Sequence, residues 1–190
     1  MKTEEKLLKY FIENKEEEVS IKELSRRVGA DYKIVHVAVN RVIEEKLLEK
    51  RIVGNNVLLK YFNSFSPLIF KIEFERRNTL LKKKDFKVLY RYLDEFEFPL
   101  ISLIFGSTVK GNFSKNSDID LLIITDNKKE IENKLKLLPL KLDLNIFSYS
   151  EFVKMLQTKN FNLVSEAIRK NILLTGIEDY YRFLEVSKNA

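Results

Sequence analysis

Residues 106–120 read GSTVKGNFSKNSDID and directly follow the apolar stretch LISLIF at positions 100–105. The apolar stretch predicts a short buried strand. Gly106 and Ser107 end that strand with a residue that tolerates unusual backbone dihedral angles beside a small hydroxyl. A turn of this kind can present backbone N–H groups to phosphate oxygens, because no bulky side chain blocks their approach. We therefore expect a phosphate-binding turn at this point of the chain.

A pair of acids follows in the stretch SDIDLLII at residues 117–124. Side chains alternate between the two faces of a strand, so Asp118 and Asp120 share one face while Ile119, Leu121 and Ile123 share the other. Two neighbouring carboxylates repel each other unless a cation lies between them. Mg²⁺ prefers one or two carboxylates together with substrate phosphates. The pair therefore predicts a magnesium site.

A third acid, Asp143, lies in the stretch LKLDLNIF at residues 140–147. This stretch also alternates, which predicts a strand whose apolar face is formed by Leu140, Leu142, Leu144 and Ile146. If this strand lies beside the first acidic strand, Asp143 completes a cluster of three carboxylates. Its role stays open between a metal ligand, a general base for an attacking hydroxyl, or both.

The pattern Gly106-Ser107, ten residues, Asp118-Ile-Asp120 and then Asp143 resembles the DNA polymerase β-like nucleotidyltransferases, and within them the minimal nucleotidyltransferases. The resemblance implies transfer of a nucleoside monophosphate from a nucleoside triphosphate, ATP or another, to a hydroxyl, with pyrophosphate leaving. AMP from ATP is the transfer that we expect. It implies that the glycine and serine bind the nucleotide phosphates. The three aspartates are implied to be catalytic and to hold two Mg²⁺ ions, which neutralise charge on the entering and leaving oxygens.

The resemblance covers roughly residues 84–184, because residues 166–184 also look like the helix, short strand and closing helix that end domains of this family. Many relatives carry arginines just after the Gly-Ser pair, where this chain has Thr108, Val109 and Lys110. We expect Lys110 to bind a nucleotide phosphate as a point charge, without a bidentate contact. The alternative is a domain that binds nucleotide but no longer turns it over.

The first 62 residues predict three helices and a hairpin. The first helix begins at Thr3. Ser20 caps the second helix, which ends at Gly29, and Asp31 caps the third. Two short β-prone runs then surround the turn at Gly54. In the third helix the inward positions are Val35, Ala38, Val39, Val42 and Leu47. This order resembles the winged helix-turn-helix family of DNA-binding domains.

If the resemblance holds, the third helix lies in the major groove of double-stranded DNA. Its outward residues, which we expect to reach bases or phosphates, are Tyr32, Lys33, His36, Val37, Asn40 and Arg41. In the hairpin the expected DNA-binding residues are Arg51, Asn55 and Asn56. From position 19 to 60 there are nine basic and five acidic residues, a net charge of 9 − 5 = +4. The alternative is a winged helix that serves partner docking or dimerisation.

The connecting stretch predicts a helix that begins at Ser66-Pro67, with Pro67 at its first position. The alternation of Phe70, Ile72 and Phe74 with charged residues is instead typical of a strand, and we favour the helix. The resulting fold class is α+β or α/β. It comprises a winged helix-turn-helix at residues 1–62, a connecting helix at 63–83, and a nucleotidyltransferase domain at 84–190 with a small mixed sheet flanked by helices.

Composition limits the chemistry and the cellular location that we expect for this protein. The chain has no cysteine and one histidine, which excludes disulfides, thiolate nucleophiles and histidine-rich metal sites. No apolar run approaches the length of a membrane span. We therefore expect a cytoplasmic protein without a membrane partner. The net charge of +6 is compatible with an anionic partner, although a surface rich in lysine and glutamate has the same balance.

Three hypotheses follow for the whole protein. The first is an active nucleotidyltransferase, by resemblance an antitoxin-like or regulatory protein adenylyltransferase, joined to a DNA-binding domain. Its acceptor would be a hydroxyl of a partner macromolecule such as a toxin-like protein. The second is a transcription regulator whose transferase domain only senses nucleotide. The third uses the winged helix for partner docking; a homodimer is compatible with all three.

Overall fold

The structure is a computed structural model that describes residues 2–54, 56–109, 117–158 and 160–188. The predicted contacts of Lys110 and Asn55 lie outside these described residues. The chain divides into two compact units, residues 1–72 and 73–190. No helix in the described part of the chain is both long and apolar enough to cross a lipid bilayer.

The first unit contains helices and a small antiparallel sheet. Its elements are α1 (Thr3–Glu13), β1 (Val19–Ser20), α2 (Ile21–Val28), α3 (Tyr32–Glu44), β2 (Leu48–Val53) and β3 (Asn56–Tyr61). The strand order is β1-β3-β2. The three helices and the hairpin lie where the sequence predicts them, and β1 is an additional short strand. Their assignment to the winged-helix family stays a prediction.

Local sequence explains the boundaries of α2 and α3. Ser20 Oγ accepts a hydrogen bond from Glu23 N at 3.2 Å, and Gly29 ends α2 with a φ of +62°. Asp31 caps α3 by accepting from Lys33 N at 2.8 Å. The predicted inward positions Val35, Ala38, Val39, Val42 and Leu47 are buried, but α3 ends at Glu44, so Leu47 lies beyond the helix rather than in it. The apolar stripe of α3 therefore forms much of the core of the first unit.

The next helix is α4 (Pro67–Leu80), and the boundary between the units falls inside it. The prediction of a helix that begins at Pro67 is confirmed, and the strand pattern at 70–74 is misleading. Ile69, Ile72, Arg76 and Leu80 are buried at helical spacing, whereas Phe74 is 40% exposed.

The second unit contains a four-stranded sheet and six helices besides the end of α4, among the residues described. The helices are α5 (Lys84–Asp94), α6 (Gly106–Val109), α7 (Lys128–Leu135), α8 (Tyr149–Gln157), α9 (Leu163–Arg169) and α10 (Ile177–Lys188). The strands are β4 (Ile101–Ile104), β5 (Ile119–Ile124), β6 (Leu142–Phe147) and β7 (Ile172–Thr175). The ending of helix, short strand and helix is present as α9, β7 and α10.

The sheet of the second unit is mixed, as expected. Its order is β6-β5-β4-β7, with β5 parallel to β6 and antiparallel to β4, and β4 antiparallel to β7. One hydrophobic cluster joins a face of β5 to helices α5 and α7; among its members are Ile119, Leu121, Ile123, Phe86, Leu89 and Ile131. The face of β5 that the sequence predicts to be apolar is therefore the one that packs on helices.

A buried polar network fixes the second half of α4 within the second unit. Arg76 donates to Glu73 Oε2 at 2.5 Å and to the carbonyl of Asn171 at 2.6 Å. Tyr181 donates its hydroxyl to Glu73 Oε1 at 2.7 Å. Asn171 donates to the hydroxyl of Tyr180 at 2.9 Å. Because buried charges need partners, residues 73–80 form part of the core of this unit.

Candidate functional site

The turn at Gly106 connects β4 to the short helix α6. Gly106 has a φ of +64°, in the left-handed region that favours glycine. Phe105 N, just before it, donates to the carbonyl of Asp120 at 3.1 Å, which ties the turn to β5. The predicted turn after the buried strand is therefore present, and it lies beside the acidic strand.

The side chain of Asp120 packs directly against this turn. Ser107 N donates to Asp120 Oδ2 at 3.3 Å. A Cβ atom at position 106 would lie 2.1 Å from the same oxygen, far inside van der Waals contact. Position 106 therefore requires glycine for two reasons, its φ and the space that Asp120 occupies. The two halves of the motif are in physical contact.

Asp143 is the register partner of Asp120 on the neighbouring parallel strand β6. Paired residues of adjacent strands lie about 4.8 Å apart and project their side chains to the same face. The neighbouring residues Ile119, Leu121 and Leu142 project to the opposite face and contribute to the hydrophobic cluster. Asp120 is partly buried and Asp143 is exposed, so this carboxylate pair is open to solvent.

Asp118 precedes β5 and is exposed. Within the described ranges, no group of three or more His, Cys, Asp or Glu side chains is arranged to hold a metal ion. The expected cluster of three carboxylates is thus not assembled there, although Asp120 and Asp143 lie side by side. Two carboxylates fit Mg²⁺, which usually takes one or two of them with water and phosphate. The metal-binding roles of all three aspartates stay a prediction.

Two further polar side chains lie next to the site in sequence, and sequence reasoning missed both. Thr108 follows Ser107 and is 7% exposed; its Oγ1 has no hydrogen-bond partner among the described protein atoms. Asn145 lies two positions beyond Asp143 on β6, and its Nδ2 atom is likewise without a partner in the described part. A polar residue two positions after an acid on a strand is the signal that identifies Asn145 as a neighbour.

The end of β6 is fixed by the start of α8. Ser148 Oγ accepts from Glu151 N at 3.2 Å, and Ser148 N donates to Glu151 Oε2 at 2.6 Å, a capping box. Hydrogen bonds from Lys128 and from Ser148 lower the pKa of Glu151 to about 2. Burial, together with the charges of Asp179 and Asp126, raises the pKa of Tyr149, the first residue of α8.

Residues 87–179 match the family model described as polymerase beta, nucleotidyltransferase. This match supports the nucleotidyltransferase superfamily for the second unit and nucleotidyl transfer as its general function. The matched range contains the Gly106 turn, the acidic strand β5 and the strand β6. The mixed sheet with its helices fits a polymerase β-like domain. No curated protein and no solved structure matches the chain.

Outside the residues that match the family model, the predicted DNA-binding residues lie on α3 and β2 of the first unit. Tyr32, Lys33, His36 and Arg41 are exposed, as is Arg51, whereas Asn40 is partly buried. The exposed helix face also carries Ile34 and Val37, which are 56% and 51% exposed; the contribution of Ile34 was missed by sequence reasoning.

Several of these side chains bind acids or amides of the same unit. Arg41 forms an ion pair with Glu4 at 2.9 Å, and Arg51 forms one with Glu18 at 2.9 Å. Lys50 donates to Asn40 Oδ1 at 3.3 Å. These pairs are solvent-exposed and weak, so a phosphate can compete for either arginine. Their role in DNA binding stays a prediction.

Proposed function

We propose that this chain is a Mg²⁺-dependent nucleotidyltransferase that transfers AMP from ATP to a hydroxyl of a partner macromolecule, in an antitoxin-like or regulatory role. One observation carries the proposal: the Gly106 turn touches the carboxylate of Asp120, whose strand neighbour is Asp143. A glycine turn next to paired carboxylates suits a substrate that brings phosphates and a divalent cation.

Each residue has a distinct part in this mechanism. The turn at Gly106 and Ser107 binds the phosphates of the nucleotide. The N–H of Ser107 orients Asp120. Mg²⁺ bound by the aspartates would supply charge neutralisation on the phosphoryl oxygens. Asp143 is the exposed carboxylate of the pair, so it is the one positioned to accept the proton of the acceptor hydroxyl.

Loss of transfer on substitution of the paired acids tests this function. The full chain is incubated with labelled ATP, Mg²⁺ and cell extract, and the label on macromolecules is measured. Asp143→Asn should lower the transfer rate by about 10²- to 10⁴-fold, the usual contribution of a general base. Asp120→Asn should abolish transfer, because the carboxylate of Asp120 contacts the turn.

Asp126→Asn is the matched control, because Asp126 is exposed just beyond the other end of β5. It should retain wild-type transfer. If ATP binds but neither the wild type nor any variant labels a macromolecule, the transferase proposal is wrong. The hypothesis of a domain that only senses nucleotide then takes its place. If wild type and Asp143→Asn label equally, the assignment of the site is wrong.

We also propose that the first unit is a winged helix that binds double-stranded DNA. The order α1, β1, α2, α3, β2, β3 and the exposed cations on α3 support this proposal. Duplex binding should weaken with added salt, because phosphate contacts release counterions. Lys33→Gln should weaken binding, whereas Lys6→Gln, an exposed lysine of α1, should not.

Partner docking is the second candidate for this unit. The exposed Ile34 and Val37 on α3 favour it, because an apolar face on a helix is typical of protein contact as well as of contact with thymine methyl groups. If the chain shows no salt-dependent affinity for duplex DNA at low ionic strength, partner docking is favoured over DNA binding.

A further inference from the structure

The two edge strands of the four-stranded sheet differ in what covers them. At β7, Arg76 donates to the carbonyl of Asn171 at 2.6 Å and Arg77 donates to that of Leu174 at 3.0 Å. At β6, no strand pairs with the outer edge within the described residues. An uncovered strand edge presents unpaired N–H and C=O groups to any extended chain that approaches it.

The direction of the backbone groups of β6 follows from its bonds to β5. Ile119 N donates to the carbonyl of Lys141 at 2.8 Å, and Thr125 N donates to that of Phe147 at 2.9 Å. Backbone direction alternates along a strand, so the odd-numbered residues of β6 face β5. The backbone groups of Leu142, Leu144 and Ile146 therefore face outward.

An apolar groove lies beside this open edge, on the face opposite Asp143. Its volume is about 550 Å³. Its apolar lining consists of Leu135, Leu138, Leu140, Leu142, Leu144 and Ile146. The groove can accept the apolar side chains of an added strand, one from every second residue.

The segment that forms the wall of this groove is basic. Between positions 128 and 141 there are five lysines and two glutamates, a net charge of 5 − 2 = +3. Lys128, Glu132 and Lys136 line the groove itself; Lys136 pairs with Glu132, and Lys128 pairs with Glu151. This charge complements an acidic segment and disfavours a basic one.

The other face of the same edge carries Asp143. Its backbone groups face β5, so an antiparallel added strand would meet it as a non-hydrogen-bonded pair, with Cα atoms about 4.5 Å apart. Side chains of such a pair have Cβ atoms about 4.5–5.5 Å apart and share one face. A hydroxyl directly opposite Asp143 is then within hydrogen-bond reach of its carboxylate.

We propose that β6 docks the acceptor as an added strand: an extended acidic polypeptide segment whose alternate apolar side chains fill the groove and whose Ser, Thr or Tyr hydroxyl faces Asp143. This proposal rests on the proposed transferase function and names its acceptor. The hydroxyl oxygen bonds to the α-phosphorus of ATP and the bond from that phosphorus to the β-phosphate oxygen breaks. Pyrophosphate leaves with the bonding electron pair, and the hydroxyl proton passes to Asp143.

Synthetic peptides test the docking mode on the full chain. The probe is a nonapeptide with isoleucine at every second position, a central serine on the other face, and glutamates at both ends. Its matched controls replace the serine with alanine, or methylate the backbone nitrogens that would bond β6. The serine peptide should bind and gain AMP, which mass spectrometry detects. The methylated peptide should bind at least about tenfold more weakly, because it loses main-chain hydrogen bonds.

Two leucines of the chain provide the matched enzyme variants. Leu140 lines the groove, whereas Leu137 does not line it and is 77% exposed. Leu140→Glu should weaken peptide binding by at least about tenfold. The new carboxylate places a charge in an apolar groove and repels the glutamates of the peptide. Leu137→Glu adds the same charge nearby and should leave binding close to wild type. Neither change should alter the binding of a fluorescent ATP analogue.

Four other outcomes overturn the proposal in distinguishable ways. If AMP is added to single-stranded RNA and not to the serine peptide, the acceptor is wrong and the transferase stands. If methylation of the peptide backbone has no effect, the acceptor does not bind as a strand. If the chain forms a dimer that Leu140→Glu dissociates, a second copy occupies the edge. If neither ATP binding nor any transfer occurs, the transferase function itself fails.

Discussion

In the second unit Gly106, Ser107 and Asp120 are in direct contact, whereas the candidate DNA-binding residues of the first unit are spread over an exposed surface. The same contrast holds for ion pairs: Glu73 and Arg76 are buried, and the pair of Glu4 and Arg41 is exposed. A substitution in a packed site disturbs every neighbour, but one on an exposed surface removes a single contact. The two units should therefore respond differently to equivalent changes.

The largest difference is expected for the two ion pairs. Arg76→Met should lower the free energy of unfolding of the second unit by about 3–5 kcal/mol, because it leaves the carboxylate of Glu73 buried without its cation. Arg41→Met removes an exposed pair and should cost about 0–1 kcal/mol. Urea unfolding followed by circular dichroism measures both. Equal costs would contradict the contrast between the two units.

The next difference concerns two glycines with positive φ. Gly106→Ala should cost about 2–4 kcal/mol, from the left-handed backbone and from overlap with Asp120, and should abolish nucleotide binding. Gly54→Ala has a similar φ of +58° but nothing within 4 Å of the new Cβ, so only the backbone cost of about 1–2 kcal/mol remains. Thermal unfolding and titration with an ATP analogue measure the two effects. Retained nucleotide binding in Gly106→Ala would argue against the turn as the phosphate site.

A smaller effect is expected at a helix cap of the first unit. Ser20→Ala removes the acceptor of Glu23 N and should cost about 1 kcal/mol. Ser20→Asp keeps an acceptor at the cap and should be close to wild type. The free energy of unfolding from a urea titration distinguishes them. If Ser20→Ala lowers the affinity for DNA by more than its loss of stability accounts for, α2 also contributes to binding.

The smallest effect is a dependence on pH at the start of α8. The pKa of Glu151 is about 2 in the folded chain, below its ordinary value of 4.5, because Lys128 and Ser148 stabilise the carboxylate. A lowered carboxyl pKa contributes stability above pH 4.5, and this contribution is lost as the pH falls from 4.5 towards 2. Glu151→Gln should therefore lower the melting temperature slightly at neutral pH and converge with wild type near pH 2. If the difference in melting temperature between wild type and Glu151→Gln stays constant from neutral pH to pH 2, the carboxylate of Glu151 is not its source.

Local sequence patterns predicted most of the fold. The inward stripe of α3, the caps at Ser20 and Asp31, and the alternation in β5 and β6 all depend on residues within a few positions of one another. The start of α4 at Pro67 was predicted by the same local argument, against a competing strand pattern. The motif also predicted that Asp143 joins Asp118 and Asp120 in one cluster; in the structure Asp120 and Asp143 are strand neighbours, and Asp118 precedes β5.

The sequence by itself determined which segments form helices and strands, and it predicted which side chains carry phosphate and metal chemistry. Only the tertiary structure decided that Asp120 fills the space beside Gly106 and that Arg41 and Arg51 pair with Glu4 and Glu18. It also decided that no strand among the described residues pairs with the outer edge of β6. Helical and strand periods are properties of adjacent residues. The packing of residues far apart in the chain depends instead on which strands pair and which edges stay uncovered, and no local pattern encodes that choice.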